Sequence, residues 1–351
     1  MLKIAALKML EILEVCLNFG IGLQDCHSSN FIFHKNSMIY VDLGTFNCFE
    51  FQFPFKEYME SYIFPLVLWS FGLEQTIKYS LTWRTVFPAM EYHLITEPNV
   101  RNIDRRILFN KIQKNYPVYY KNNPKIIVNL LEQLKRLITN LNLNTHTEWS
   151  EYYCDKFDTK GELIITERFK KIINYTNHFC ANAETAISLG GNGGAFENVL
   201  LRKTNLKRII VQDIDSKALE EGFIKYSKRN DNKEIYFAHY DLIWTITHPY
   251  WLPAEQRFKS DIVYALALTH HLMLGFGAKL DLILSKIASY TKKYSFIEFM
   301  PLGLWAPGAT INIPSWYTEE YFQKYFKKYF KIILKEQLEV NRILYIGELH
   351  Q

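Results

Sequence analysis

Apolar and polar residues repeat along this chain with two different periods, and the change of period divides it. In the first part apolar residues recur at helical spacing: MLKIAALKMLEILEVCLNFG at 1–20 is amphipathic, and so is Lys125–Leu141. Residues 1 to about 140 read as helix, hairpin, then mostly helices, with a turn at Asn122-Asn123-Pro124. The polar stretch NLNLNTHT at 140–147 is the expected linker, which gives domains at 1–145 and 146–351. Beyond Trp149 a helical segment, Glu167–Phe179, leads into short apolar runs that alternate with helical patterns. Strands are predicted at Thr185–Leu189, Arg208–Gln212, Glu234–Ala238, Asp261–Leu266, Ser295–Phe299, Lys331–Glu336 and Arg342–Ile346. Helices are predicted at Ala195–Leu201, Lys217–Tyr226, Ala278–Tyr290 and Glu319–Phe330. Five strands alternating with helices imply a parallel sheet. The last two strands are too close for a crossover and must form an antiparallel hairpin. The expected fold class is α/β: a seven-stranded sheet preceded by a mostly helical domain.

Composition narrows the class. At 351 residues the chain can hold two cores, and 48% hydrophobic with 22% charged residues describes a globular protein. The net charge of +5 is spread out. Its densest patch, KYFKKYFK at 324–331, interleaves lysine with rings at helical spacing, which reads as a solvated helix face over buried Tyr and Phe; no nucleic-acid partner is expected. Five scattered cysteines without a CxxC argue for a reducing compartment and against a disulfide framework or a zinc site. The first twenty residues lack the pattern of a secretory signal, and the most apolar window, Tyr62–Leu73, is broken by Pro65 and too short to span a bilayer. A cytoplasmic protein with no membrane partner is expected.

The candidate chemistry starts at Ser188-Leu189-Gly190-Gly191-Asn192-Gly193-Gly194-Ala195-Phe196, followed by IIVQDID at 209–215. An apolar run ends in a glycine-rich turn, opens into a helix, and a second apolar run ends in Asp213. That is the layout of a nucleoside-binding βαβ unit: glycines let the backbone approach the ligand, and an acid at the tip of the second strand takes the ribose hydroxyls. A dinucleotide site needs G-x-G-x-x-G. From Gly190 the chain reads G-x-N-x-x-A, and from Gly191 it puts bulky Phe196 in the third place. A cofactor without a pyrophosphate, S-adenosylmethionine (SAM), tolerates this, and the terminal hairpin also favours it over a nicotinamide cofactor.

Here the chain resembles the class I SAM-dependent methyltransferases and, more narrowly, the bacterial group related to the host-specific nodulation protein NoeA. The matching residues are SLGGNGGAF (188–196), VQDID (211–215), DLIW from Asp241, Pro249, Trp251, Glu255-Gln256-Arg257, DIVYALALTHHL (261–272), IEFMP (297–301), Tyr317-Thr318 with Phe322, and NRILY (341–345). The resemblance covers most of 149–351. It implies a Rossmann-like sheet, SAM as cofactor, and a methyl acceptor that is a small molecule or glycan-like. Gly190, Asn192 and Gly194 would line the methionine and ribose moieties. Asp213, with Asp215 as fallback, would bind the ribose diol. Asp241 would accept from the adenine amino group, with the Leu242 amide donating nearby. Ser188 stands where the family usually has an acid that helps orient the cofactor; Glu197 or a water is the alternative. The bland reading is that Asp213 and Asp241 cap turns and that Ser188 is a buried strand residue.

Methyl transfer is an in-line displacement, so the protein must place the acceptor and, for a hydroxyl or ammonium, remove a proton. His270 and His271, just past the fourth strand, suit that role because histidine titrates near neutrality. Two adjacent histidines on a regular strand face opposite ways, so one is expected to be structural. Glu298, at the tip of the fifth strand, is a second catalytic candidate. Tyr250, Trp251 and Trp305 are candidates for an aromatic acceptor wall, or for lid and core packing. No metal site is expected.

Residues 23–46, LQDCHSSNFIFHKNSMIYVDLGTF, place Asp25 and Asn30 in a D-x-x-x-x-N spacing, with Asp42-Leu43-Gly44 following. This resembles the carboxy-terminal lobe of kinase-like and aminoglycoside-phosphotransferase-like proteins. Only 24 residues precede Asp25, which leaves no room for a glycine-rich phosphate loop or a strand-borne lysine and suggests a missing amino-terminal portion. The segment is therefore read as a degenerate scaffold. Three readings follow: a SAM-dependent methyltransferase, a non-catalytic SAM-binding scaffold, and a phosphotransferase using Asp25, Asn30 and Asp42.

Overall fold

A computed structural model describes residues 2–34, 37–47, 50–84, 86–97, 105–119, 124–143, 147, 149, 152, 155–159, 161–226, 231–245, 252–305 and 313–350. The chain separates into two compact units, Met1–Thr145 and His146–Gln351.

The first unit opens with α1 (Leu2–Phe19), whose Ala6, Met9, Leu10 and Leu13 share one face and are fully buried. After β1 (Gly22–Leu23), strands β2 (Phe31–His34) and β3 (Ser37–Tyr40) form a hairpin, and β4 (Phe46–Asn47) pairs back on β1. Then come α2 (Phe55–Tyr58), a π-helical turn over Met59–Ile63 and α3 (Phe64–Ser70), which Pro65 opens. The unit closes with α4 (Glu74–Trp83), α5 (Ala89–Thr96), α6 (Arg105–Asn115) and α7 (Pro124–Asn140). Leu131 and Ile138 of α7 join the α1 core. The turn expected at Asn122-Asn123 lies outside the described residues.

The second unit is a three-layer α/β/α sandwich. In chain order it contains α8 (Glu167–Phe179), β5 (Thr185–Leu189), α9 (Ala195–Lys203), β6 (Arg208–Asp213), α10 (Ser216–Tyr226), β7 (Glu234–His239), α11 (Ala254–Arg257), β8 (Ser260–Ala265), α12 (Leu280–Tyr290), β9 (Thr291–Phe299), α13 (Glu319–Tyr329), β10 (Phe330–Glu339) and β11 (Arg342–Leu349). The seven strands lie in the order β10-β11-β9-β8-β5-β6-β7. β5 through β9 are parallel, and β11 is antiparallel to both of its neighbours. The inner strands read as continuous apolar runs because helices cover both faces. Phe169, Ile172, Phe196, Leu200 and Leu219 of α8, α9 and α10 pack on one face, and Leu280, Ile283, Phe322 and Phe326 of α12 and α13 on the other.

One expectation changes in detail. The terminal hairpin is tighter than its apolar pattern suggested, because β10 runs on to Glu339 with two register shifts. Bulges scramble the alternation that marks a strand's end. The basic stretch at 324–331 spans α13 and the start of β10: Phe326 and Phe330 are buried, Lys324, Lys327 and Lys328 exposed. Among the described residues no helix is long and apolar enough to cross a membrane.

Candidate functional site

Strand order locates the site. β5 is where the sheet reverses direction, with β6 and β7 built to one side and β8 and β9 to the other. Ligands of open α/β sheets bind at the carboxyl ends of the strands at such a point. The glycine turn leaves β5 there. Gly190, Asn192 and Gly194 all take left-handed conformations, with φ of 69°, 52° and 72°. Glycine does this without strain, and asparagine is the side chain that most readily follows. Gly191 and Gly193 are small for a different reason: a Cβ would stand 2.9 Å from Val211 Cγ1 at the first and 3.1 Å from the Ala218 carbonyl at the second.

The tip of β6 clamps this turn. The Asn192 amide donates to Asp213 Oδ2 at 2.7 Å, the Gly191 amide donates to the Gln212 carbonyl at 3.0 Å, and the Gln212 side chain takes the Gly190 amide. Asp213 Oδ1 accepts the Asp215 amide at 2.8 Å. Burial pushes the Asp213 carboxyl up against these hydrogen bonds, which favour its charge. Asp215 serves a different end: its Oδ1 accepts the Lys217 and Ala218 amides and so starts α10. Asp241 Oδ1 accepts the Ile243 and Trp244 amides in a tight turn after β7, and Leu242 is buried against the α12 side of the sheet. Asp213 and Asp241 thus both organise backbone, and each carboxylate has acceptor capacity beyond those bonds.

Ser188, buried near the end of β5, donates through Oγ to Glu197 Oε1 at 2.7 Å. Burial raises the Glu197 carboxyl to about 7; the Asp213 charge pushes the same way, while Ser188, the helix backbone and Arg168 oppose it.

Beyond β8 the chain turns through Ala267, which is left-handed at φ 52°, into a helical turn that starts at Thr269 and continues as a π-helix over His271–Gly275. The two histidines therefore stand past the strand, as expected, and on a helical turn instead of a regular strand. His270 is buried, its Nδ1 has no partner among the described residues, and burial lowers its pKa to about 3, with His271 and Arg342 adding to the shift. The His271 ring meets Trp149 edge-on, with centroids 4.7 Å apart. Glu298 is fully buried. Arg168 grips it through Nε at 2.6 Å and Nη2 at 2.8 Å, and Arg342 adds Nη1 at 3.1 Å. Desolvation alone would raise its pKa; the two guanidinium groups reverse that and hold it below the usual glutamate value. Its main-chain carbonyl accepts the Thr269 hydroxyl, which ties β9 to the histidine turn. Tyr250 and Trp251 lie outside the described residues, and Trp305 is half-buried after β9. Among the described residues no three metal-ligating side chains come together.

Three residues of this site escaped the sequence reading. Trp149 joins the two halves of the edge: its carbonyl accepts Asn192 Nδ2 at 2.8 Å while its ring covers His271. Arg168 sits in the first turn of α8, placed by the Thr166 cap. Gly222 lies inside α10 against Gly193. Only Gly222 carried a signal, since a mid-helix glycine needs a packing reason. In the first unit, the Tyr40 hydroxyl donates to the Asp25 carbonyl at 2.7 Å and meets Asn30 Nδ2 at 3.4 Å, and the Asp25 carboxylate contacts His27. Asp42 precedes a 3-10 turn, Leu43–Thr45.

No family model and no curated protein matches the sequence. Among solved structures the chain is similar to magnesium protoporphyrin IX methyltransferase (ChlM) from Synechocystis PCC 6803 with bound SAH, at 15% identity and a TM-score of 0.39 over 52% of this chain and 82% of that one. It is similar to the N-methyltransferase NodS from Bradyrhizobium japonicum WM9, at 11% identity and a TM-score of 0.38 over 53% and 96%. It is also similar to a S-adenosylmethionine-dependent methyltransferase from Clostridium acetobutylicum ATCC 824, at 13% identity and a TM-score of 0.40 over 58% and 96%. These likenesses are distant, and the functional reading rests on the strand order and the glycine turn.

Proposed function

We propose that the chain is a SAM-dependent methyltransferase that moves a methyl group to an oxygen or nitrogen of a small-molecule or glycan-like acceptor. One observation carries the reading: a turn of three left-handed residues, clamped by an acid from the neighbouring strand, stands at the switch point of a seven-stranded sheet that ends in an antiparallel hairpin. The residues fit the cofactor. Gly190, Asn192 and Gly194 form the turn that would receive its aminoacyl and ribose portions, Asp213 keeps lone pairs for the ribose diol, and Asp241 with the Leu242 amide meets the adenine. The cofactor, when bound, supplies the sulfonium methyl as electrophile.

The chain's own work is placement and proton handling. His270 is neutral near pH 7, so it orients an acceptor hydroxyl or amine by hydrogen bonding, and His271 under Trp149 is the partner candidate for taking the proton. Glu298, committed to Arg168 and Arg342, anchors the histidine turn through Thr269. That commitment also favours a second reading, a SAM-binding protein without turnover.

Calorimetric titration of the chain with SAM, S-adenosylhomocysteine and Mg·ATP tests the proposal. Micromolar binding of both adenosyl ligands is expected, and absence of both refutes it. Replacing His271 with alanine then separates the two readings, because methyl transfer to a found acceptor collapses with cofactor binding intact only if the chain is an enzyme.

A further inference from the structure

The glycine turn rests on a buried carboxyl group that the placement above leaves without a role. Glu197 is the third residue of α9, the helix into which the turn opens, and it is 3% exposed. One of its oxygens takes the Ser188 hydroxyl, while Oε2 has no hydrogen-bond partner among the described residues. A buried carboxyl oxygen without a donor costs free energy, and an apolar residue at this helix position would avoid the cost. The acid therefore calls for a donor that none of the described residues supplies.

Its location selects that donor. Ser188 lies directly under the turn: a Cβ on Gly191 would stand 3.1 Å from its Oγ and 3.2 Å from its Cβ. The charged groups around Glu197 are Asp213 from β6 and Arg168 from α8, with the phenols of Tyr226 on α10 and Tyr264 on β8 further contributors. Arg168 already spends two hydrogen bonds on Glu298. In a dry site a carboxylate is met best by a cationic donor. On the methyltransferase reading, the ligand portion over the turn ends in an ammonium group.

We propose that Glu197, steered by Ser188, is the carboxylate that binds the cationic aminoacyl end of the adenosyl cofactor. The acid is delivered from the helix after the glycine turn instead of from the strand before it. The identity of the cation rests on the methyltransferase reading; the need for one rests on the buried oxygen.

The test uses the full chain, Glu197→Gln, and Ser188→Asp combined with Glu197→Gln, each titrated with SAM, S-adenosylhomocysteine and adenosine at pH 6 and pH 8. Glutamine keeps the volume and can still accept from Ser188. The variant should bind both aminoacyl ligands about 10- to 100-fold more weakly, the effect of removing one charge-assisted hydrogen bond, and adenosine equally well. The unaltered chain should lose affinity for SAM between pH 8 and pH 6 as Glu197 takes up a proton, and the variant should not. Restoring an acid with Ser188→Asp should recover most of the lost affinity. Equal binding of SAM by the unaltered chain and Glu197→Gln overturns the proposal and leaves the cofactor reading standing. A loss that extends equally to adenosine, with a lower melting temperature and no recovery, also overturns it by showing a structural role. If the unaltered chain binds neither adenosyl ligand, the cofactor reading and this proposal fall together.

Discussion

Replacing Gly222 by alanine sets two opposing effects against each other, and the structure decides the sign. In an unobstructed helix the change gains about 1 kcal/mol, because alanine gives up less backbone freedom on folding. Gly222 is not unobstructed. A Cβ there would stand 2.1 Å from the Gly193 carbonyl oxygen, 2.7 Å from its carbon and 2.8 Å from Phe237 Cε1. The turn has little room to retreat, since the Gly193 amide is held by Asn192 Oδ1 at 2.7 Å and the Asn192 amide by Asp213. Overpacking costs about 1–3 kcal/mol, and a clash with backbone lies at the upper end of that range. The net expectation is a loss of about 2 kcal/mol, read by urea denaturation, together with at least tenfold weaker SAM binding because the turn must move. A variant that is about 1 kcal/mol more stable and binds SAM normally would refute the claim that α10 sets the turn by contact.

Two further predictions concern buried charge. Glu298→Gln should destabilise the second unit by about 3–5 kcal/mol at pH 7, because it leaves two guanidinium groups without their carboxylate. The Glu298 pKa is depressed on folding, so its contribution is complete above the ordinary value of 4.5 and is lost as pH falls through the lowered one; the gap between the two proteins should close on acidification in denaturation curves. His270 is buried neutral instead of charged, yet its pH dependence runs in the same direction. The unfolded chain takes a proton near pH 6.5 that the folded chain refuses until about 3, so stability should fall by about 1.4 kcal/mol per pH unit on acidification across that window. His270→Asn should flatten that part of the pH profile; an unchanged profile would mean the ring is not buried neutral.

The sequence exposes the sheet because five inner strands are buried on both faces and their apolar runs admit one reading. Local chemistry exposes the turn, since glycines and an asparagine in that order answer to left-handed backbone. Contacts made at long range stay hidden. Arg168 and Glu298 lie 130 residues apart, and nothing near Arg168 marks it as the partner of a strand tip. Trp149 precedes the first helix of the unit and gives no sign that its ring covers His271. The apolar run to Leu266 puts the histidine pair just past the fourth strand but does not show what backbone carries it. The left-handed Ala267, which diverts the chain into a helical turn, has no signature in an alanine. A carboxyl end and a glycine turn are thus legible from type and spacing, whereas the side chains that complete the edge are set by which strands become neighbours.

Asp261 at the amino end of the sheet and the acids beside the glycine turn are treated differently, and that difference bears on where binding is proposed. At the amino end, Asp261 accepts the Glu184 and Thr185 amides and the Thr185 hydroxyl at 2.8–3.0 Å. Burial works against its charge, yet these bonds and Lys292 hold its pKa below the usual aspartate value. At the carboxyl end, Asp213 and Glu197 are raised, and Glu197 Oε2, Asp215 Oδ2 and His270 Nδ1 lack partners among the described residues. Unpartnered buried polar atoms also occur at Glu255 Oε2 and Tyr290 Oη, but beside the glycine turn they coincide with two raised carboxyls, the pattern expected of a binding site. Asp261→Ala should therefore cost about 1–3 kcal/mol by unpairing buried donors and leave SAM affinity unchanged in the remaining folded protein. Asp213→Ala should cost a similar amount and abolish SAM binding. Equal effects of the two substitutions on SAM titration would remove the distinction between the ends, and with it the case for a site at the carboxyl edge.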